Sequence, residues 1–379
     1  MKKSFSRFKS VGRIARLAVI AASVFGVMGV STRESQAQAK LLRVRGTLQH
    51  VHGANIGWVV NSGGSNYGHD LGPNNFTGYG YHYVGADMDS YFGDIKNMHT
   101  NVVRVWLFEN LEGLNFDGSG YISGINSTFL ANVNDMITRA YNKGIALELM
   151  LFNHDIGNQF GKIPQVGGGV AVKNFFSDSG AQTAMINNVI KPLATAESGK
   201  QGVFGFDLMN EANYAVSPYG SIIASSTWPQ MHSYIYNAAN AIHGIDGAAQ
   251  VTCSTDNADS FSSTNFYNRF GGVGLNYYEY HNYNDSPNLW TIGSSGAYPS
   301  IDKPIILGEY GPSTTGNTAL QTTVTDTFIN QEQSRGWAGS LAWKYDATGA
   351  DSYTIVTGIG AWKDPAWKIQ YWGLNRFGL

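Results

Sequence analysis

Of the eight glutamates that follow residue 40, two close apolar runs and are succeeded at once by loop-forming residues. Glu211 ends Gly205-Phe-Asp-Leu-Met-Asn-Glu, and Glu309 lies in Ile305-Ile-Leu-Gly-Glu-Tyr-Gly. A carboxylate at the end of a buried strand loses its hydration unless a partner or a reaction uses it. Two such groups facing each other can divide the labour of glycosidic cleavage. One protonates the leaving oxygen while the other attacks carbon or directs water. Either glutamate alone is better explained by a lysine partner. The pair on separate strands argues for a site.

Other arrangements carry less. His50-Val51-His52 has no third ligand at helical spacing and no H-E-x-x-H, so both histidines read as structural. Neither a G-x-S-x-G elbow nor a phosphate loop occurs. The single cysteine, Cys253, excludes a disulfide framework and a cysteine-built metal site, and sits in an apolar run as a small hydrophobe. Glu148 and Glu279 lie near the same strand ends and read as partners of other groups. No metal or organic cofactor is expected.

Glu211 and Glu309 need strands to carry them. Short apolar runs recur at 54–60, 102–107, 145–152, 203–208, 251–254, 273–278, 304–307 and 340–343, of the kind buried on both faces in a parallel sheet. Helical stripes fill several gaps. Phe129, Val133, Met136, Ile137, Ala140 and Tyr141 form one; Met185, Val189, Ile190 and Leu193 another. Leu320, Val324 and Phe328 form a third stripe that ends in the charged Glu332, and 235–242 closes a fourth. Gly144, Gly202 and Gly336 stand where left-handed helix caps are wanted. Eight strands alternating with helices predict an α/β fold, a (β/α)8 TIM barrel in one domain over 40–379. A doubly wound open sheet is the alternative, but no phosphate-binding glycine fingerprint follows the first strand. The surplus length falls in loops after strands, at 61–84, 155–174, 214–226 and 284–301, on the face where a barrel carries chemistry. The helix after the sixth strand is weak in the sequence.

Residues 1–39 read as a cleaved signal peptide. A basic start precedes an apolar run of 14 residues, Leu17 to Val30, and then Ala37-Gln38-Ala39. That run is short of the ~20 residues of a membrane span. Its removal takes seven basic residues and one acid, so a formal net charge of −2 becomes −8. The expected product is secreted, free of the membrane and monomeric. Charged residues make up 14 % of the chain, against ~25 % in an ordinary soluble domain, and aromatics 13 %. Without basic clusters a nucleic-acid surface is excluded. Tyr67, Tyr79, Tyr81, Tyr83, Trp106, Trp228 and Trp290 are candidate platforms for sugar rings, with loop packing as the plain alternative.

At this point the chain resembles the clan A glycoside hydrolases, family 5 (cellulases and mannanases) in particular. Asn210-Glu211 looks like the acid/base motif and Gly308-Glu309-Tyr310-Gly311 like the nucleophile motif. The resemblance implies a retaining (β/α)8 enzyme over roughly 52–350, acting on an oligo- or polysaccharide, a β-1,4-linked glucan or mannan. It also implies binding roles for six residues. Arg104 would stand beside the nucleophile, His281 and Tyr283 form the sixth-strand His-x-Tyr pair, and Trp343 is the sugar platform of the eighth strand. Asn210 would hold the sugar 2-OH. His154 matches the third-strand histidine, with Asn153 as the competing inward residue. On this reading Glu309 is kept ionised by Arg104 and Tyr283, and Glu211 serves as acid and then base. The carboxyls should stand ~5 Å apart. Ala212 departs from the proline usual after the acid/base, which leaves a neighbouring clan A family open. An exo-acting β-glycosidase and a carbohydrate-binding barrel without catalysis are the rival readings.

Overall fold

The computed structural model describes residues 41–58, 71–72, 83–163, 170–218, 220–256, 263–289, 301–346 and 352–379. The expected signal peptide lies outside them. Eight strands form the frame: β1 (Val51–Ile56), β2 (Val102–Trp106), β3 (Ala146–Met150), β4 (Val203–Asp207), β5 in two pieces (Val251–Thr252 and Ser254–Thr255), β6 (Tyr278–Tyr283), β7 (Ile305–Gly311) and β8 (Gly339–Ala342). All pair in parallel, and the two pieces of β5 are the two ends of one sheet. The sheet therefore curls round to meet itself at Cys253, and the expected (β/α)8 barrel is what forms.

Helices cover the outside because their stripes are apolar on one face. They are α1 (Gly85–Asn97), α2 (Ser127–Asn142), α3 (Ser179–Met185 and Lys191–Glu197 joined by one wide turn, Ile186–Ile190), the short α4 (Ala212–Val216), α5 (Trp228–His243), α6 (Ser263–Phe270), α7 (Thr318–Arg335) and α8 (Asp364–Trp372). Phe129, Val133, Met136, Ile137 and Ala140 of α2 are all buried, as their spacing predicts, whereas Tyr141 is exposed. On α7 the predicted stripe is continued by its charged member: Glu332 is buried and accepts a hydrogen bond from His50 at 3.0 Å. Gly336 ends α7 in the left-handed region (φ +84°), as expected. Gly202 does not. Gly199 takes that conformation (φ +71°), while a β-carbon at Gly202 would lie 2.8 Å from Ile137.

Two strands are displaced from expectation, and β7 runs four residues beyond the expected 304–307. The first strand is Val51–Ile56, earlier than 54–60. The sixth is Tyr278–Tyr283 rather than 273–278, because Gly274 has φ +86° and breaks the apolar run. The weak helix expected after it falls partly on residues outside those described.

Strand alternation divides the barrel interior into layers. The end nearest the strand starts is apolar, with Val51, Val102, Ala146, Phe204, Tyr277, Ile306 and Leu341 packed under the hairpin Leu42–Val44/Thr47–Gln49. Two residues further along β2, β3 and β6 the inward positions become Arg104, Glu148 and Glu279, all fully buried. Two further again they reach the mouth at Trp106, Met150 and His281.

Candidate active site

Arg104 projects from β2 into the centre of the barrel. Its Nη1 donates to Glu309 Oε1 at 2.7 Å and to Asn55 Oδ1 at 3.1 Å. Its Nη2 donates to Asp207 Oδ2 and to Asn210 Oδ1, both at 2.7 Å, and its Nε lies 3.1 Å from Glu279 Oε1. One guanidinium thus fixes side chains from β1, β4, β6 and β7, using the planar fork that lysine lacks.

Glu309 ends the inward row of β7. Its second oxygen accepts from the Tyr283 hydroxyl at 2.6 Å. Glu211 follows β4 in an unusual backbone conformation, φ +50° and ψ +55°. Left-handed geometry at a non-glycine residue costs ~1–3 kcal/mol and persists only where neighbours enforce it. Here the Glu211 amide donates to Ser254 Oγ at 3.1 Å, and the Asn210 amide donates to the Phe152 carbonyl at 2.8 Å. The bend turns the Glu211 carboxyl over the mouth. His281 Nδ1 lies 3.1 Å from one of its oxygens and His154 Nδ1 3.2 Å from the other. Glu211, Glu309 and His281 each bring one polar atom within 4.8 Å of the others.

The electrostatics separate the two carboxyls. Burial raises Glu211 well above the ordinary carboxylate range, and the charges of Glu309 and Asp256 raise it further. Burial also raises Glu309, to about 7, but Arg104 and the Tyr283 hydrogen bond oppose the rise. Burial lowers His154 to about 4 and holds His281 well below the usual imidazole range. Both histidines therefore meet Glu211 as neutral rings, and neither adds a positive charge that would draw its proton away. Glu309 ionises first and Glu211 keeps its proton, the division of roles that two-carboxyl chemistry needs.

All eight residues singled out in the sequence converge here. Asn210 gives its carbonyl oxygen to Arg104 and one amide hydrogen to Asn153 Oδ1 at 3.0 Å, leaving the other amide hydrogen for a ligand. Asn153 and His154 are both used: Asn153 braces Asn210, and His154 lines the cleft. Trp343 faces Trp106 across 5.6 Å at the rim, and a cis peptide joins it to Lys344. The cleft, about 580 Å³, is completed by Tyr214, Asp256, Ser313 and Tyr353.

Of the aromatic candidates, Trp106 lines the cleft. Trp228 packs on Phe270 and Arg269, and Tyr83 donates to Asp135 at 2.9 Å. Tyr67, Tyr79, Tyr81 and Trp290 lie outside the described residues. Away from the cleft, His52 Nε2 meets the Ile369 carbonyl at 2.8 Å, and Cys253 is buried with Sγ toward the Met209 carbonyl.

Sequence reasoning passed over Asp207 and Asp256. Asp256 directly follows β5 and hydrogen-bonds Tyr214. An acid at a strand end was the signal that found Glu211 and Glu309, and it marks Asp256 too. Tyr353 comes from a loop after β8 and has no comparable signal.

The three atoms of Glu211, His281 and Glu309 could also hold a cation. Arg104 and Tyr283 already serve both Glu309 oxygens, however, which leaves a cation there little to bind.

A parallel barrel with paired carboxyls at its strand ends, set in an aromatic cleft, defines the glycoside hydrolase class. The chain belongs to glycosyl hydrolase family 5: residues 60–349 match the family's cellulase model. It is therefore a hydrolase of O-glycosyl bonds with a carbohydrate substrate. It is 24 % identical over 344 residues to a mannan endo-1,4-beta-mannosidase of Cryptopygus antarcticus, spanning 80 % of this chain and 83 % of that one. A second mannan endo-1,4-beta-mannosidase, from Mytilus edulis, is 23 % identical over 334 residues, 77 % of this chain and 83 % of the relative. The solved beta-mannanase of Mytilus edulis superposes with a TM-score of 0.63 at 19 % identity, covering 87 % of this chain and 93 % of that one.

Proposed function

We propose that this protein is a secreted, monomeric, retaining endo-β-1,4-mannanase. The observation that carries the reading is the pair of opposed carboxyls with unlike surroundings. Glu309 has two donors on it, and Glu211 has only neutral rings and a rival negative charge. Oxygens within 4.8 Å of one another suit direct attack by Glu309, because inversion needs a wider gap of about 6.5–9.5 Å to seat a water. In the first step Glu309 attacks the anomeric carbon while Glu211 gives its proton to the departing oxygen. Once Glu309 is esterified its charge is gone, so the push on Glu211 relaxes and it can take a proton from water. Asn210 offers its free amide hydrogen to the sugar 2-OH, and Trp343 supplies a flat face to the ring at the cleavage point.

Mannan is chosen over glucan because the two curated relatives described above are mannan endo-1,4-beta-mannosidases. Secretion rests on the leader pattern in residues 1–39, and no helix among the described residues is long and apolar enough to cross a membrane. The test is product analysis on mannan, β-1,4-glucan and xylan, with the anomeric configuration of fresh products followed by NMR. A ladder of manno-oligosaccharides of retained β configuration is expected. Mannose as the sole early product would establish exo action, and α products would establish inversion. Glu309→Ala and Glu211→Ala should each lose at least about 100-fold in kcat; full activity in both would overturn the roles given to these two carboxyls.

A further inference from the structure

Below the mouth lies a layer of charge of which the displacement itself uses only Glu309. Arg104 sits at its centre among four carboxyls: Asp207 and Glu309 at 2.7 Å, Glu279 at 3.1 Å, and Glu148, whose charge also acts on it. Glu148 Oε1 accepts a hydrogen bond from the Tyr277 hydroxyl. Glu148 Oε2 and Glu279 Oε2 are buried with no hydrogen-bond partner, and the Glu148 charge acts on Glu279. Two buried carboxyls that each keep an oxygen without a donor cannot both stay ionised, and one proton between them relieves both.

The barrel makes room for the pair. A β-carbon at Gly308 would lie 1.9 Å from Glu279 Oε1, and one at Gly205 would lie 2.8 Å from the Tyr277 hydroxyl. Branched apolar side chains ordinarily fill this level of a barrel. Here Gly205 on β4 and Gly308 on β7 leave the space to the Tyr277 hydroxyl and the Glu279 carboxyl instead.

We propose that Glu148 and Glu279 share a single proton and together present one negative charge to Arg104, which makes both of them positioning residues for Glu309. Groups facing the pair from the packed strands are Arg104 on β2, Asp207 on β4, Cys253 between the pieces of β5, Tyr277 and His281 at β6, and Glu309 on β7. With one charge, the pair holds the Arg104 Nε and leaves both Nη groups to Glu309, Asp207 and Asn210. With two charges it would compete with Glu309 for the guanidinium. With none, Nε would face no anion.

The inference uses the assignment of Glu309 for its kinetic readout only; an infrared readout stands apart from that assignment. In Glu148→Gln or Glu279→Gln, the amide replaces the protonated partner and the charge stays at one. The acid limb of kcat/KM should then move by less than about 0.3 units in either variant. Glu148→Gln/Glu279→Gln removes the remaining charge, strengthens the hold of Arg104 on ionised Glu309, and should lower the acid limb by about one unit. A one-unit fall in either single variant means both carboxyls were ionised, and no fall in the double variant means both were neutral; each overturns the proposal. In a Glu211→Gln/Glu309→Gln background, the protonated-carboxyl infrared band at pH 7 should lose one group's intensity in each single variant, and no further intensity in the double. Unchanged intensity in the singles, or a second loss in the double, overturns it equally, whether or not Glu309 is the nucleophile.

Discussion

At the scale of single residues, the site works by giving two identical carboxyls different neighbours. The Tyr283 hydroxyl stabilises the ionised form of Glu309, so its removal must raise the Glu309 pKa above its value of about 7. A hydrogen bond to a charged acceptor is worth roughly 1.5–3 kcal/mol, or about 1–2 pH units. As the proposed nucleophile, Glu309 has to be ionised to attack, so activity is expected above its pKa and lost below it. Tyr283→Phe should therefore shift the acid limb of kcat/KM upward by about 1–2 units. The alkaline limb, set by Glu211, should move less, because its contacts with His154 and His281 remain. A pH–rate profile measured on a soluble mannan reads both limbs, and an unmoved acid limb would remove Glu309 from the nucleophile's role.

At the scale of elements, legibility followed polarity. Strands and helices whose outward faces are apolar could be found from the residues: Val103 and Val105 on β2, Leu147 and Leu149 on β3, and the α2 stripe all join one core. β6 was misplaced because its inward row is Glu279, His281 and Tyr283, so a search for apolar runs settles on 273–278 beside it. Six of the eight site residues were identified by resemblance to a family, since an arginine or tryptophan in a strand is uninformative alone. The left-handed turn at Glu211 and the reach of Arg104 beyond Glu309 to Asp207 and Asn210 were not legible, because both depend on contacts between distant strands. Close strand approach is likewise invisible in the sequence, and it can be tested. A β-carbon at Gly53 of β1 would lie 1.8 Å from the Val102 carbonyl of β2, whereas one at Gly93 within α1 meets nothing within 4 Å. Gly53→Ala should destabilise the barrel by about 1–3 kcal/mol or more through overpacking. Gly93→Ala should stabilise it by about 0.5–1 kcal/mol through helix propensity. Chemical denaturation of both variants checks the signs, and equal effects would mean that β1 and β2 do not approach so closely.

The whole molecule separates its stabilising end from its reacting end. Where the strands begin, the hairpin Leu42–Val44/Thr47–Gln49 closes the barrel, and His50 and His52 are committed to Glu332 and the Ile369 carbonyl. Where they end, the cleft is lined by rings, amides and the two carboxyls. A chain with 14 % charged residues has little field to spend on steering, and a neutral polysaccharide offers no charge to steer. On the proposed reading its C–H faces meet Trp106 and Trp343, contacts that salt does not screen, while the charges around Arg104 are buried and are screened far less than surface pairs. Even the net charge of −8 expected after loss of the leader should therefore leave substrate capture unchanged by ionic strength. On a soluble mannan, KM should vary by less than about twofold as salt rises from roughly 20 to 500 mM, a range over which the screening length falls from about 20 to 4 Å. A KM that falls steeply with added salt would instead point to an anionic polysaccharide held off by the acidic surface, and would redirect the search for the substrate.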